Sequence, residues 1–450
     1  MAMKETNSWG RIDTRAREII AFDASVQRDG LLSQSQSYLP YGNGRSYGDS
    51  CLNDVGTLLD GRHHNRVLSL DLNAGILRAE SGILLIELLD ALKDSGWFIP
   101  VVPGTKFVTL GGMVANDIHG KNHGHRGTIG CHVRQFSLLR SDRERLVCAA
   151  DQNSDLYAAT IGGMGLTGFI EWIELSLIPV ASHKVLETKL PFDSLEEGLD
   201  LLAQEDPEHE YSVAWIDSLA TGDRLGRGIL MLGDHIESPT PPKYGKPLLS
   251  VPFTPPIPLV AGPALSAFNK LYYWRNASQQ APHVARPDSF FFPLDAVGGW
   301  NRLYGPGGLH QHQCSLPLEG GEAALRRMLE ASHDANHGSF LTVLKRFGSV
   351  RSPGLLSFPM EGFTLTLDFP NREPATHALL DRLDRITLEV GGRVNPYKDS
   401  RMQPETFRSG FSQWRALERL RDPAMMSDFW RRVSHQTEEF RSEIKAEKAS

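Results

Sequence analysis

The chain has 450 residues, of which 40% are hydrophobic and 22% charged, a make-up that suits a globular protein large enough to divide into two domains. Its formal charge of -7 argues against a general nucleic-acid binder, which needs a basic surface to displace phosphate counterions. No stretch reaches the roughly 20 apolar residues that span a bilayer, the first residues lack the apolar core of a secretory signal, and Cys51, Cys131, Cys148 and Cys314 are too dispersed for a zinc knuckle or disulfide framework; a cytoplasmic protein with reduced thiols is expected.

In chain order, VLSLD at 67–71 predicts a strand, followed by a helix whose stripe is Leu85, Leu88, Leu89 and Leu92 and whose stop is Gly96. The run GFIEWIELSLIPV from Gly168 alternates apolar and polar residues, which predicts a strand ending near Pro179. Residues 238–263 are too rich in proline for a helix or interior strand and predict an extended, mobile loop. Leu248, Leu249, Val251, Phe253, Ile257 and Leu259 lie in it beside Lys243 and Lys246, a pattern expected either of a flap that meets a membrane surface or of an ordinary surface loop packed on its own domain. Helical stripes resume at 322–335 and 375–390. The segment after Pro404 predicts a docked helical tail anchored by Phe407, Phe411, Trp414 and Trp430.

Three segments crowd glycine with hydrogen-bonding residues, at 41–50, 103–127 and 161–168. Glycine allows backbone to approach a ligand closely, so each could line a nucleotide, and each could equally be a structural turn. The third contains GxGxxG at Gly163, Gly165 and Gly168, but a strand pattern follows it where a dinucleotide fingerprint would open a helix, so a Rossmann site is rejected. His119, His123 and His125 invite a metal assignment. Gly120 and Gly124 spoil helical HxxxH spacing, and no carboxylate but Asp117 is near, so no metal is expected. Backbone amides with one His and one Lys better suit an anionic cofactor.

Together these segments resemble the FAD-linked oxidoreductases of the vanillyl-alcohol oxidase superfamily. The likeness runs through YGNGRSYGD at 41–49, GWFIPVVPGTKFVTLGGMVANDIHGKNH at 96–123, GGMGLTGFI at 162–170, VLKRFG at 343–348, LSFP at 356–359, LDFP at 367–370, and KDSR at 398–401 followed by ETF. It implies an α+β fold, with a two-subdomain FAD-binding domain at 1–180, an antiparallel-sheet substrate or cap domain at 181–392, and a segment at 393–450 returning to the FAD domain. The implied cofactor contacts are Gly42, Asn43, Gly44, Arg45, Ser46, Tyr47 and Gly48, then Gly104, Thr109, Leu110, Gly111, Gly112, Asn116, Asp117, Ile118 and His119, and finally Ile170. Lys398 and His119 match catalytic positions beside the flavin ring. Lys121, Gln313 and Lys345 match positions near the substrate.

This chain departs from the family pattern at three places. Thr366 and Thr364 stand where relatives carry Cys and Asn before DFP, so both count as substrate-facing positions, and Asn395 stands where an aromatic cofactor neighbour is expected. Arg45 takes the place of the His that bonds flavin covalently in some members, so FAD is expected to be noncovalent. The resemblance implies oxidation of a secondary hydroxyl on a polyprenyl-phosphate-linked pentose, completed to the epimeric arabinose donor by a separate NAD-dependent short-chain reductase, at the inner face of the membrane. The alternatives are an aldonolactone or alditol oxidase acting on a free sugar, and a non-catalytic flavin-binding interaction protein.

Overall fold

Alternating apolar residues build three large sheets, beside two two-stranded ones, among the described residues of the computed structural model, which are 2–22, 36–142, 145–247 and 249–434. The first has four strands. Thr57–Asp60 lies parallel between Ala16–Ala21 and Tyr38–Tyr41, and Ala2–Glu5 pairs antiparallel on the outer edge of Ala16–Ala21. The second is antiparallel throughout, in the order Val67–Asp71, Ile76–Glu80, Phe169–Ser176, Val133–Leu139 and Leu146–Ala149. Both strands expected from the sequence are present.

The helix Leu85–Leu92 buries its four-leucine stripe completely against this second sheet, where Leu77, Ala79, Ile173 and Leu175 share its core. Gly96 follows with φ of +76°, a conformation that opposes helix continuation and favours glycine. The GxGxxG run also behaves as expected. It leads from the helix Ser154–Thr160 into the strand Phe169–Ser176 and opens no helix.

The third sheet has eight antiparallel strands, in the order His283–Ala285, Val185–Phe192, Gly228–His235, Tyr211–Ile216, Thr342–Phe347, Gly362–Pro370, Leu309–Leu316 and Arg393–Val394. The helices Leu195–Glu205, Leu318–Asp334 and Ala375–Glu389 cover one face. Their Leu202, Leu325, Met328, Leu379 and Leu383 pack with Cys314, Leu344, Leu365 and Leu367 of the strands. Strand side chains alternate between faces, so Gln311, Gln313, Val343, Lys345 and Thr366 fall on the other face. That face looks into the cavity described below.

The proline-rich segment is extended as expected but tied at several points. Leu249–Ser250 pairs parallel with Val297–Gly298, and the Leu259 amide donates to the Leu303 carbonyl at 2.8 Å. Leu248 lies outside the described residues. The expected loop ends early, because Gly262–Ala277 is a helix with Pro263 in its first turn, where a missing amide hydrogen costs nothing. The chain then returns after Arg393. The helices Pro404–Gly410, Trp414–Leu420 and Asp428–Ser434 bury Phe407, Trp414, Leu417, Phe429 and Trp430 against Ile19, Leu39 and Leu58 of the first sheet. Tyr38 seals the seam, its amide donating to the Ala424 carbonyl at 2.7 Å and its carbonyl accepting from the Met426 amide at 2.8 Å. Residues 435–450 of the expected tail lie outside the described residues.

Candidate active site

The loop that leaves the strand Tyr38–Tyr41 forms one wall of a cavity of about 360 Å³, within the range of small-molecule and cofactor pockets. Gly42 must be small, because a β-carbon there would strike the Thr109 hydroxyl. Thr109 in turn caps the helix Leu110–Ala115, accepting from the Gly112 amide at 3.2 Å. Asn43 crosses to the Phe107 carbonyl at 2.7 Å, so the first two glycine segments are bonded to each other. The Arg45 guanidinium sits 4.6 Å from the centre of the Trp9 ring.

Of the sequence-predicted cofactor contacts, Gly42, Asn43, Gly44, Arg45, Ser46, Tyr47, Gly104, Thr109, Gly111, Gly112, Asn116, Asp117, Ile118, His119 and Ile170 line this cavity. Gly48 and Leu110 do not. Gly48 lets its loop pack on the Asp399 backbone, which a β-carbon would strike, and Leu110 is fully buried in the core. Asp117 is a strut as well as a lining residue. Its carboxylate accepts from the Gly130 amide at 2.9 Å, the Ser352 hydroxyl at 2.5 Å and the Ser357 hydroxyl at 2.6 Å, and burial raises its pKa. The donor set fits a dinucleotide. Glycine-rich backbone borders the cavity, and the buried Ser50 hydroxyl that also lines it has no hydrogen-bond partner among the described residues.

At one end of the cavity the strand face supplies Gln313, Lys345 and Thr366, the second glycine segment supplies His119, and the loop after Arg393–Val394 supplies Asn395, Tyr397 and Lys398. Lys345 Nζ lies 3.0 Å from His119 Nδ1 and 3.1 Å from the Gly120 carbonyl. Gln313 Nε2 lies 3.1 Å from His119 Nε2. Burial and the neighbouring Lys345 and Lys398 hold His119 well below the usual imidazole range, so it is neutral. Burial, reinforced by Lys398 and Lys121, lowers Lys345 to about 7. Lys398 is also lowered by burial, against the pull of Asp368, whose own carboxyl is raised by burial.

Two of the expected substrate residues lie elsewhere. Lys121 donates to the Phe290 carbonyl and rests 4.2 Å from the centre of that ring, and Thr364 is buried, accepting from Gln313 Nε2 at 3.0 Å. Lys398 is not a surface residue paired with Asp399, because that carboxylate turns to the backbone amides of Arg401 and Met402. The three histidines first weighed as ligands do not converge. His119 and His123 pack on Phe347, while His125 Nε2 lies 2.9 Å from the Asp206 carbonyl. A helical turn forms over His123–Arg126 but begins at His123, so His119 and His123 do not share a helix. His310, Glu373 and His377, which the sequence reading did not single out, have potential ligand atoms within 4.8 Å of one another, outside the cavity lining.

Sequence reasoning also missed Trp9, Asp295, Trp300 and Gln311 in the lining. Asp295 accepts from the Lys106 amide and the Thr105 hydroxyl, both at 2.8 Å, and so holds the second glycine segment. No motif marks these residues. They reach the cavity through tertiary packing alone.

Comparison with known proteins agrees with this geometry. An FAD binding domain family model matches residues 32–149. The chain is 34% identical over 408 residues to decaprenylphosphoryl-beta-D-ribose oxidase of Mycolicibacterium smegmatis, covering 87% of this chain and 88% of that protein. It is 29% identical over 178 residues to L-gulonolactone oxidase of Mus musculus, covering 40% of this chain and 39% of that one. It is 28% identical over 145 residues to D-lactate dehydrogenase of Anaerostipes hadrus, covering 31% and 30%. The chain therefore belongs, with decaprenylphosphoryl-beta-D-ribose oxidase, to the FAD-linked oxidoreductases of the vanillyl-alcohol oxidase superfamily, and it is an FAD-dependent oxidoreductase.

Proposed function

We propose that this protein oxidises a secondary hydroxyl on a polyprenyl-phosphate-linked pentose to the ketone, as the first half of an epimerisation to the arabinose donor. The observation that carries this reading is the meeting of Lys398, Lys345, Gln313 and His119 at one end of a cavity whose other walls are the glycine loops, in a chain alike over most of its length to an oxidase of that kind of sugar. FAD, held noncovalently by the loops at 42–48 and 104–119 and by Ile170, supplies the hydride acceptor. Lys398 binds the alcohol and takes its proton, a role suited to an amine whose pKa burial has lowered. Gln313 and Thr366 orient the sugar from the sheet face. A separate NAD-dependent short-chain reductase would return the ketone to the epimeric alcohol.

In this reading residues 1–180 and 393–450 hold FAD, and 181–392 cover the substrate. The long lipid tail is met by the exposed Leu249, Phe253, Ile257 and Leu259 of the proline-rich segment, which also carries the exposed Lys243 and Lys246, and by Leu271 and Trp274, exposed about one turn apart on the helix Gly262–Ala277. Apolar side chains would enter the interface while the cations meet lipid phosphates, which places the protein peripherally at the inner face of the membrane. Among the described residues no helix is long and apolar enough to cross a membrane.

The second reading is an aldonolactone or alditol oxidase on a free sugar, favoured by the partial likeness to L-gulonolactone oxidase. Anaerobic flavin bleaching with polyprenyl-phosphoryl ribose, free alditols and aldonolactones separates the two. Bleaching by the lipid-linked pentose alone supports the first. Bleaching only by free sugars replaces it with the second.

A further inference from the structure

The direction of one hydrogen-bond chain through the cavity can be worked out from a single backbone amide. The Tyr397 N–H can only donate, and it meets Asn395 at 2.9 Å, so the Asn395 atom facing it is the carbonyl oxygen. The Asn395 amide nitrogen then faces Gln313 at 2.9 Å, and because an NH2 group can only donate, the Gln313 atom there is Oε1. The Gln313 nitrogen is left facing the Thr364 hydroxyl at 3.0 Å and His119 Nε2 at 3.1 Å. His119 Nε2 must accept. Its ring proton therefore sits on Nδ1, which lies 3.0 Å from Lys345 Nζ. Two donors cannot share that contact, so Lys345 must offer a lone pair, and a lysine with a lone pair is uncharged.

We propose that Asn395 is a positioning residue: by fixing the Gln313 amide it holds His119 in the Nδ1-protonated tautomer and keeps Lys345 an uncharged amine. The inference rests on the reading of this cavity as the site of alcohol oxidation for its consequence, and on hydrogen-bond direction alone for its content. Burial acts in the same sense on each member. The groups that face this centre are Lys345 on its strand, His119, Lys121 and His123 on the second glycine segment, Lys398 on the C-terminal loop and Asp368 on the adjacent strand. A second cation at one buried site would repel a Lys345 ammonium, which also favours the uncharged amine. Lys345 then donates its remaining hydrogens, one of them to the Gly120 carbonyl at 3.1 Å.

The device requires an amide side chain at residue 395. A hydrophobic or aromatic side chain could accept nothing from the Tyr397 amide in this geometry and could not orient Gln313.

The test uses the FAD-loaded protein with 15N-labelled histidine, assigned by loss of signal in His119→Gln and read without substrate. At neutral pH the His119 spectrum should show Nδ1 bearing the proton and Nε2 bare. In Asn395→Leu the anchor is gone, and the spectrum should move to a mixture of tautomers or to Nε2–H. Asn395→Asp presents an oxygen to Gln313, reverses its amide, and should give Nε2–H with Lys345 charged, moving the Lys345 limb of the flavin-reduction pH profile up by about one unit or more. A parent protein with Nε2–H, or an Asn395→Leu variant with an unchanged tautomer, overturns the proposal. The parent spectrum decides even if neither variant folds. Failure of the lipid-linked pentose to bleach the flavin would count against the function and leave the tautomer result intact.

Discussion

Lys398 Nζ lies 5.5 Å from the centre of the Tyr47 ring, bringing the C-terminal KDSR loop over the first glycine loop. The same two loops touch through backbone, where Gly48 packs on Asp399. Lys398 is thus fixed to the cavity wall made by the first glycine loop. Lys398→Ala should retain fold and flavin while slowing flavin reduction about a hundredfold or more, the scale of a positioned acid or base. Rapid-mixing absorbance under anaerobic conditions measures this, and bleaching as fast as the parent's would remove Lys398 from the chemistry.

Arg45 stacks on Trp9 and donates to the Asn43 carbonyl at 2.6 Å. A guanidinium cannot form the histidyl bond that tethers flavin in covalent relatives, so acid precipitation should release all of the yellow colour into the supernatant. Colour retained in the washed pellet would refute noncovalent binding.

Much of this was readable in advance, for identifiable reasons. The leucine stripe at 85–92 and the alternating run at 169–176 carry their periods openly, and each glycine segment sits where backbone approaches backbone. Thr364 and Thr366 share a face and were read alike, yet only Thr366 lines the cavity, because Thr364 lies deeper and is occupied by Gln313. Lys121 reads as a site residue in IHGKNH but turns to the Phe290 carbonyl, a partner far away in sequence. Asp295 and Trp300 were invisible, since nothing local marks a residue that reaches a pocket from a distant segment.

Folding stability should fall as the solution is acidified from neutrality. His183 is buried with Nε2 2.8 Å from the Trp97 carbonyl and Nδ1 2.8 Å from the Tyr244 hydroxyl, and burial pushes it down to about 4. Its folded value lies below the unfolded value of about 6.5, so its contribution is complete above pH 6.5 or so and is lost as pH falls toward the folded value, at up to about 1.4 kcal/mol per pH unit. Urea midpoints across that window should drop in the parent and drop less steeply in His183→Gln. Equal slopes would exclude His183 as a source of acid sensitivity.

The exposed apolar face offers a direct membrane assay. Trp274 is 72% exposed and Leu271 62% exposed on the helix Gly262–Ala277. Replacing both by serine should reduce co-sedimentation with anionic vesicles several-fold, while near-UV and flavin spectra stay the same. Raised salt should weaken the parent's binding in proportion to its lysine contacts. If parent and variant sediment equally, this face is not the docking surface.

The seam between Tyr38 and the Ala424–Met426 backbone has a consequence for biosynthesis. The strand leading into the first glycine loop emerges early from the ribosome, yet its neighbour at the seam, and the Asp399 backbone on which Gly48 rests, are made only after the whole covering sheet. Until then the loop at 42–48 lacks one of its supports and the cavity lacks Lys398. If the proposed site holds FAD, cofactor capture is expected late in the life of the nascent chain, and a polypeptide released before residue 398 should be colourless.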